Sequence, residues 1–306
     1  ARLRLASSQS GELVVGGRPD DAALVLRAAI DRVRARESRS APLEAALAVA
    51  LSRLAAIETK AGRTETARER SAEALAVIEE VTATPDGPGP RAAAVAVLYD
   101  TAMGLEGDDQ RAPLFEKLAR VARAGLDAGD PERFPLGHGL LVAERWLADR
   151  EVARGRPAAA LDHLRRLEEG AAILAAEMPG ATVFSEPIVS AAVLAYRCHA
   201  ELGRPGDAEG VLAAALPLAE RGAADRPTSA TRARLLAEVL ESQASVLVAT
   251  GRRAEAIATL ERLLGATGPR AASDGPDGPF ATLARAARER LATLAADEAA
   301  SPALSP

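Results

Sequence analysis

Cys198 and His199 stand side by side, and a thiol next to an imidazole is a pairing that could supply a nucleophile and its general base. Neighbours along a helix point about 100° apart, however, and no GxSxG-like or other nucleophile signature surrounds them. The pair therefore reads as packing near a repeat seam. His138, His163 and His199 are widely separated and lack the HExxH spacing that brings two imidazoles onto one metal. Asp20–Asp21 and Asp108–Asp109 could be paired metal-binding carboxylates, yet each pair stands where a helix is expected to begin. Capping and complementation of the helix dipole account for both. Gly137 and Gly139 flank His138 in what reads as a loop, and Trp146 reads as a core side chain. These residues form no catalytic constellation, and no metal or cofactor is expected.

The elements that position these residues follow from composition and period. The chain has 306 residues and is 48% hydrophobic, so its core is ample and global disorder is excluded. Alanine and leucine dominate, aromatics make up only 2%, and β-branched runs are scarce, which points to helices. Net charge is −5 with the signs interleaved, so the clustered Lys/Arg of a phosphate-binding surface is missing and nucleic acid is disfavoured. With Cys198 alone there is no intramolecular disulfide framework, and a reducing, cytoplasmic setting is the expectation. No apolar run reaches the ~18 residues of a membrane span. The start, Ala-Arg-Leu-Arg-Leu, lacks both an initiator Met and a signal-peptide core, so a piece of a longer protein is expected.

One short string recurs six times: GRPDDA at Gly17, GRTETA at Gly62, GDDQRA at Gly107, GRPAAA at Gly155, GRPGDA at Gly203 and GRRAEA at Gly251. The intervals are 45, 45, 48, 48 and 48 residues, and alanine follows each glycine by five: Ala22, Ala67, Ala112, Ala160, Ala208 and Ala256. A glycine ends a helix cheaply in the left-handed conformation, and proline two residues later suits a first turn. Each string is therefore a tight turn between antiparallel helices, with the small alanine allowing close approach. Seven residues before the glycine the residue is small in Ser10, Ala55, Ala148 and Ala244, while Asp100 and Tyr196 depart from that rule.

Pro131, Pro179 and Pro227 each precede a turn glycine by 24 residues and separate one unit from the next; Pro42, Pro85, Pro88 and Pro90 mark earlier breaks. Pro113 predicts a late or kinked start for its helix. The stretch from Gly265 to Pro279 reads as a mobile loop. The expected architecture is all-α, a right-handed solenoid of about six helix hairpins. It forms a single domain over 1–297, with units near 1–38, 39–83, 84–129, 130–178, 179–226 and 227–270. A capping helix covers 279–297 and a tail 298–306.

The small–Gly–Ala arrangement resembles the tetratricopeptide repeat, most closely in EVLESQASVLVATGRRAEAIATLERLL (238–264) and VAERWLADREVARGRPAAALDHLRRLE (142–168). The usual unit of that family is 34 residues, and the longer units here are similar to actinobacterial and cyanobacterial arrays attached to signalling ATPase or protease-like modules. HEAT and armadillo repeats share the period but not the glycine-turn-alanine signature. No GxxxxGK[ST] occurs, so an ATPase module would lie outside this chain.

The resemblance implies that first helices line a concave face and that a protein or peptide lies against it. Counting back from each glycine gives Lys60, Arg145, Asp149, Arg197, Glu201, Glu238 and Glu241 as the candidate binding residues. The set is mixed in sign and lacks the Lys/Arg/Asn run of a carboxylate clamp. The expected function is a non-catalytic interaction or sensor arm of a larger bacterial signalling protein. A free-standing regulator closing on a peptide or small ligand is the alternative, and a helical enzyme a distant third. The oligomeric state is not legible.

Overall fold

The six glycine strings become helix boundaries. The computed structural model describes residues 2–83, 90–177, 185–273 and 275–300, and among these thirteen α-helices and no strand occur. They are α1 (Arg2–Val15), α2 (Pro19–Arg34), α3 (Ala41–Lys60), α4 (Thr64–Ala83), α5 (Pro90–Gly104), α6 (Asp108–Asp127) and α7 (Arg133–Ala153). Then follow α8 (Pro157–Glu177), α9 (Ser185–Glu201), α10 (Pro205–Asp225), α11 (Ala230–Ala249), α12 (Arg253–Ala271) and α13 (Pro279–Ala300). The expected breaks at Pro85, Pro88 and Pro179, and residues 301–306 of the expected tail, lie outside the described residues.

All six turn glycines have positive φ, between 69° and 91°. In five of them the same pair of backbone bonds closes the helix. At the fourth turn, for example, the Arg156 N–H donates to Glu151 O at 2.9 Å and the Gly155 N–H donates to Val152 O at 2.9 Å. This Schellman closure satisfies carbonyls that a helix end leaves open. The third copy departs from it. There α5 stops at Gly104, and Gly107 becomes the residue before α6. The Arg111 side chain donates twice to Leu105 O, at 2.9 and 2.6 Å, doing the work of the missing closure.

The chain divides into two compact units, Ala1–Leu147 with Gly170–Glu177, and Ala148–Glu169 with Met178–Pro306. In the first, α1/α2, α3/α4 and α5/α6 are hairpins; α2 and α4 pack on the next first helix, and α1, α3 and α5 pack side by side. Its core holds Leu26, Ile30, Leu51, Leu54 and Ile78 in one cluster and Leu98, Phe115, Leu118 and Leu140 in another. In the second unit α9/α10 and α11/α12 repeat the pattern, and α13 packs on α12 and α11 in the place a further first helix would take. The chain is an all-α repeat solenoid. The alanines five residues after each glycine are all buried, from 0 to 3% exposed.

Several local expectations change. α6 starts at Asp108 with Pro113 inside it, so the helix begins neither late nor after the proline. A proline at its sixth residue forfeits a single backbone bond, which the surrounding packing absorbs. α12 runs on through Gly265, Gly268 and Pro269 to Ala271, and the loop expected from Gly265 begins only beyond it. Thr267 is fully buried, and its hydroxyl donates to Leu263 O at 2.8 Å, so tertiary packing overrides the glycines' weak helix propensity.

Buried charge is paired. Glu58 of α3 is completely buried and accepts from Arg27 of α2 at 3.1 Å and Arg70 of α4 at 2.8 Å. It thereby ties three helices together. Exposed pairs such as Arg34–Glu73, Lys117–Glu79 and Arg262–Glu220 link successive second helices, where solvent screens them.

Replacing Ala160 or Ala208 with leucine is expected to overpack a hairpin and cost ~1–3 kcal/mol in urea unfolding. Gly155→Ala should cost about 1–2 kcal/mol because φ is +69° there. Glu58→Ala should cost about 1.5–3 kcal/mol, whereas Glu73→Ala should stay within about 1 kcal/mol.

Candidate functional site

The residues singled out for chemistry are dispersed. Cys198 is buried in α9, and burial followed by the Glu201 carboxylate pushes its thiol up, away from the thiolate a nucleophile needs. The His199 Nδ1 lies 3.8 Å from Asp207 of α10, and burial raises the Glu168 carboxyl while His199 opposes that rise. Arg166 donates to His163 Nδ1 at 2.9 Å, an ordinary contact within α8. Asp20–Asp21 and Asp108–Asp109 occupy first helical turns, where they complement the dipole; the caps themselves are Arg18 and Gly107. No group of three His, Cys, Asp or Glu able to hold a metal occurs among the described residues.

His138 lies within α7 and not in a loop; it stacks on Phe134 with centroids 6.2 Å apart, and burial lowers its pKa. The two glycines beside it serve packing. A Cβ on Gly137 would meet Leu174 at 2.7 Å, and one on Gly139 would meet Val95 at 2.3 Å. Trp146 is half-buried and stacks on Phe115 at 4.6 Å.

The seven candidate binding residues fall into two sets. Lys60 and Arg145 belong to the first unit, and Asp149, Arg197, Glu201, Glu238 and Glu241 to the second. Arg197 and Glu201 are exposed on α9, and Glu238 and Glu241 are half-buried on α11, where Arg234 pairs with Glu238 at 3.3 Å. Of the seven, Lys60 lines a cavity.

That cavity is a cleft of ≈ 710 Å³ between α1 and α3 in the first unit, with Pro19 of α2 at its side. Ser7, Ser8, Gly11, Glu12, Val14 and Val15 come from α1, and Arg53, Ala56, Ile57 and Lys60 from α3. The Arg53 Nη1 donates to Ser7 O at 2.9 Å, bridging the two walls. Val15 is 90% exposed, an apolar side chain left in water at the lip. Ser7, Gly11 and Val15 stand 10, 6 and 2 residues before Gly17, the offsets at which the sequence places Arg145, Asp149 and Lys60 before their own glycines. Reading for charge passes over small and apolar residues on the same face. The periodic offset was the signal that could have found them.

Next to the cleft, Ser52 and Asp100 join α3 to α5. The Ser52 hydroxyl donates to Asp100 Oδ2 at 3.1 Å and also lies 3.0 Å from Val49 O. Burial raises the Asp100 carboxyl above its ordinary 3.8, against the Ser52 bond and the Arg53 charge.

Comparison with protein-family models and with curated proteins gives no match. Among solved structures, the chain is similar to an assembly chaperone of RpL4, Acl4 (residues 1–338). The TM-score is 0.51 at 20% identity, covering 98% of this chain and 100% of that one. It is also similar to the apo form of RapI, with TM-score 0.51 at 11% identity, covering 96% of this chain and 87% of that one.

Because the folded pKa of Asp100 is raised, its contribution to stability is greatest below about pH 3.8 and is lost as pH rises through the raised value. Asp100→Asn is therefore expected to gain in melting temperature relative to the wild type between pH 4 and 7; a constant difference would contradict the buried seam. Taken with the glycine turns and buried alanines, the structural likenesses identify a helical-repeat fold of the tetratricopeptide type.

Proposed function

We propose that this chain is a non-catalytic interaction module whose first helices hold a protein or peptide. The observation that carries this reading is the α1–α3 cleft, an apolar concavity edged by Arg53 and Lys60. A contiguous apolar surface left in solvent at such a place marks an interaction site more readily than a tolerated defect. A chaperone that shares the fold is a precedent for a protein client. The dispersed histidines, the inert thiol of Cys198 and the paired buried carboxylates support binding over catalysis. The finer form of the reading is a sensor or scaffold arm of a larger bacterial signalling protein working in the cytoplasm. Its partner lies along α1, α3, α7, α9 and α11 through Lys60, Arg145, Asp149, Arg197, Glu201, Glu238 and Glu241. A second reading, a regulator that takes a small ligand, is favoured by one observation: ≈ 710 Å³ falls within the range of small-molecule sites.

Photo-crosslinking from Lys60 and Glu241 on first helices, against Glu209 and Glu220 on α10, distinguishes these faces in the native host. Crosslinks to one partner from the first pair alone support the reading; crosslinks only from α10 overturn it. Charge reversal at Arg145 and Arg197 is expected to weaken capture of that partner while the helical circular-dichroism signal stays unchanged.

A further inference from the structure

The geometry points to a short amphipathic helix, acidic on its edges and leucine-like at its centre, as the occupant of the cleft between α1 and α3; this rests on the interaction-module reading above. Three observations converge. The walls are helices whose backbone groups are already bonded internally, and the floor between them is Gly11, Val14, Ala56 and Ile57. An extended peptide laid there would leave its N–H and C=O groups without partners in apolar surroundings, which costs free energy. A helix brings its own backbone bonds and offers only side chains, so it meets no such cost. Gly11 and Ala56 matter as well, because the size of the side chains at the contact sets where in the 8–10 Å range two helices pack.

The second observation is charge. The chain as a whole carries −5, yet the cleft holds two cations and one acid: Arg53, Lys60 and Glu12. Arg53 and Lys60 stand seven residues apart on α3, two turns and about 10.5 Å along the axis. Ala56 and Ile57 lie between them. A ligand helix running along α3 matches this with acids seven positions apart and apolar residues at the third and fourth positions between. Lys60 is exposed and makes no ion pair among the described residues, so it can meet a ligand carboxylate. Glu12, on the opposite wall, favours a basic residue on the side of the ligand turned to α1 and so sets its orientation.

The third observation is Gly11. A Cβ built there meets nothing within 4 Å, so the space above this helical glycine opens into the cleft and not into neighbouring core. A larger residue would fill the ligand's place without disturbing α1, and losing a glycine from a helix interior favours the helix.

The test uses the full chain and a fluorescein-labelled, alanine-based 16-residue helical peptide with glutamates seven apart and two leucines between them, read by fluorescence anisotropy. Binding is expected to weaken by about tenfold or more when the leucines become serine, and equally when a central proline breaks the helix. Lys60→Glu should weaken binding of the glutamate peptide and restore binding to a peptide with lysines in their place. Gly11→Leu should abolish binding with an unchanged or higher melting temperature. Failure of the glutamate peptide to bind, unchanged affinity in both variants, or indifference to the proline overturns the assignment. Crosslinks from Lys60 to a native partner alongside peptide failure would discard this ligand and leave the interaction module standing. Loss of both results would remove the two together.

Discussion

Two helices can lie against each other along their length only if the chain reverses direction within a few residues and nothing bulky stands between them. Here both conditions are met by one recurring pair, a glycine in the left-handed region and an alanine five residues later. The glycine releases a helix end whose last carbonyls are then recaptured by the next two N–H groups. The alanine, with almost no side chain to accommodate, brings the second helix close enough to share an apolar seam. Everything else in the stack builds on that spacing, including which faces of the first helices remain outside the seam. The third copy shows what happens when the glycine no longer closes the preceding helix: α5 ends early and an arginine side chain satisfies the free carbonyl.

Electrostatics then refines a fold it does not create. Glu58, Asp130 and Arg232 are buried only where oppositely charged partners reach them. Asp100 differs in that its hydrogen-bond donor is the uncharged Ser52 hydroxyl, and burial raises its carboxyl against that bond and the Arg53 charge. The Ser52–Asp100 pair forms a polar seam between α3 and α5, next to the cleft where Arg53 joins α3 to α1. The distribution of charge separates the two units in character. The α1–α3 cleft of the first unit is apolar with a net positive edge, whereas α11 of the second presents Glu238 and Glu241.

The architecture was legible because it is periodic. Six glycines and six alanines at fixed spacing report backbone conformation and close approach, and both are local consequences of residue type. The candidate site was less legible. Lys60 stood out by its charge, but the cleft it edges is made mainly of Ser7, Ser8, Gly11, Val14, Val15, Ala56 and Ile57. Such residues look alike whether they pack against a neighbour or stand open to solvent. Gly137 and Gly139 show the same ambiguity from the other side: a loop by composition, a close-packed helix in the fold, because Leu174 and Val95 need the room.

What this amino-acid sequence determined unaided was the alternation of helix and turn, the hairpin pairing and the burial of the small residues. Each of these depends on interactions a few residues long and repeats six times, so errors in one copy are corrected by the others. Whether Gly265–Ala271 is loop or helix, which carboxylates are buried with partners, and where an apolar face stays uncovered were decided only by the tertiary structure. These outcomes depend on residues 30 to 50 positions apart meeting across neighbouring hairpins, and no single window of sequence contains both sides of such a contact.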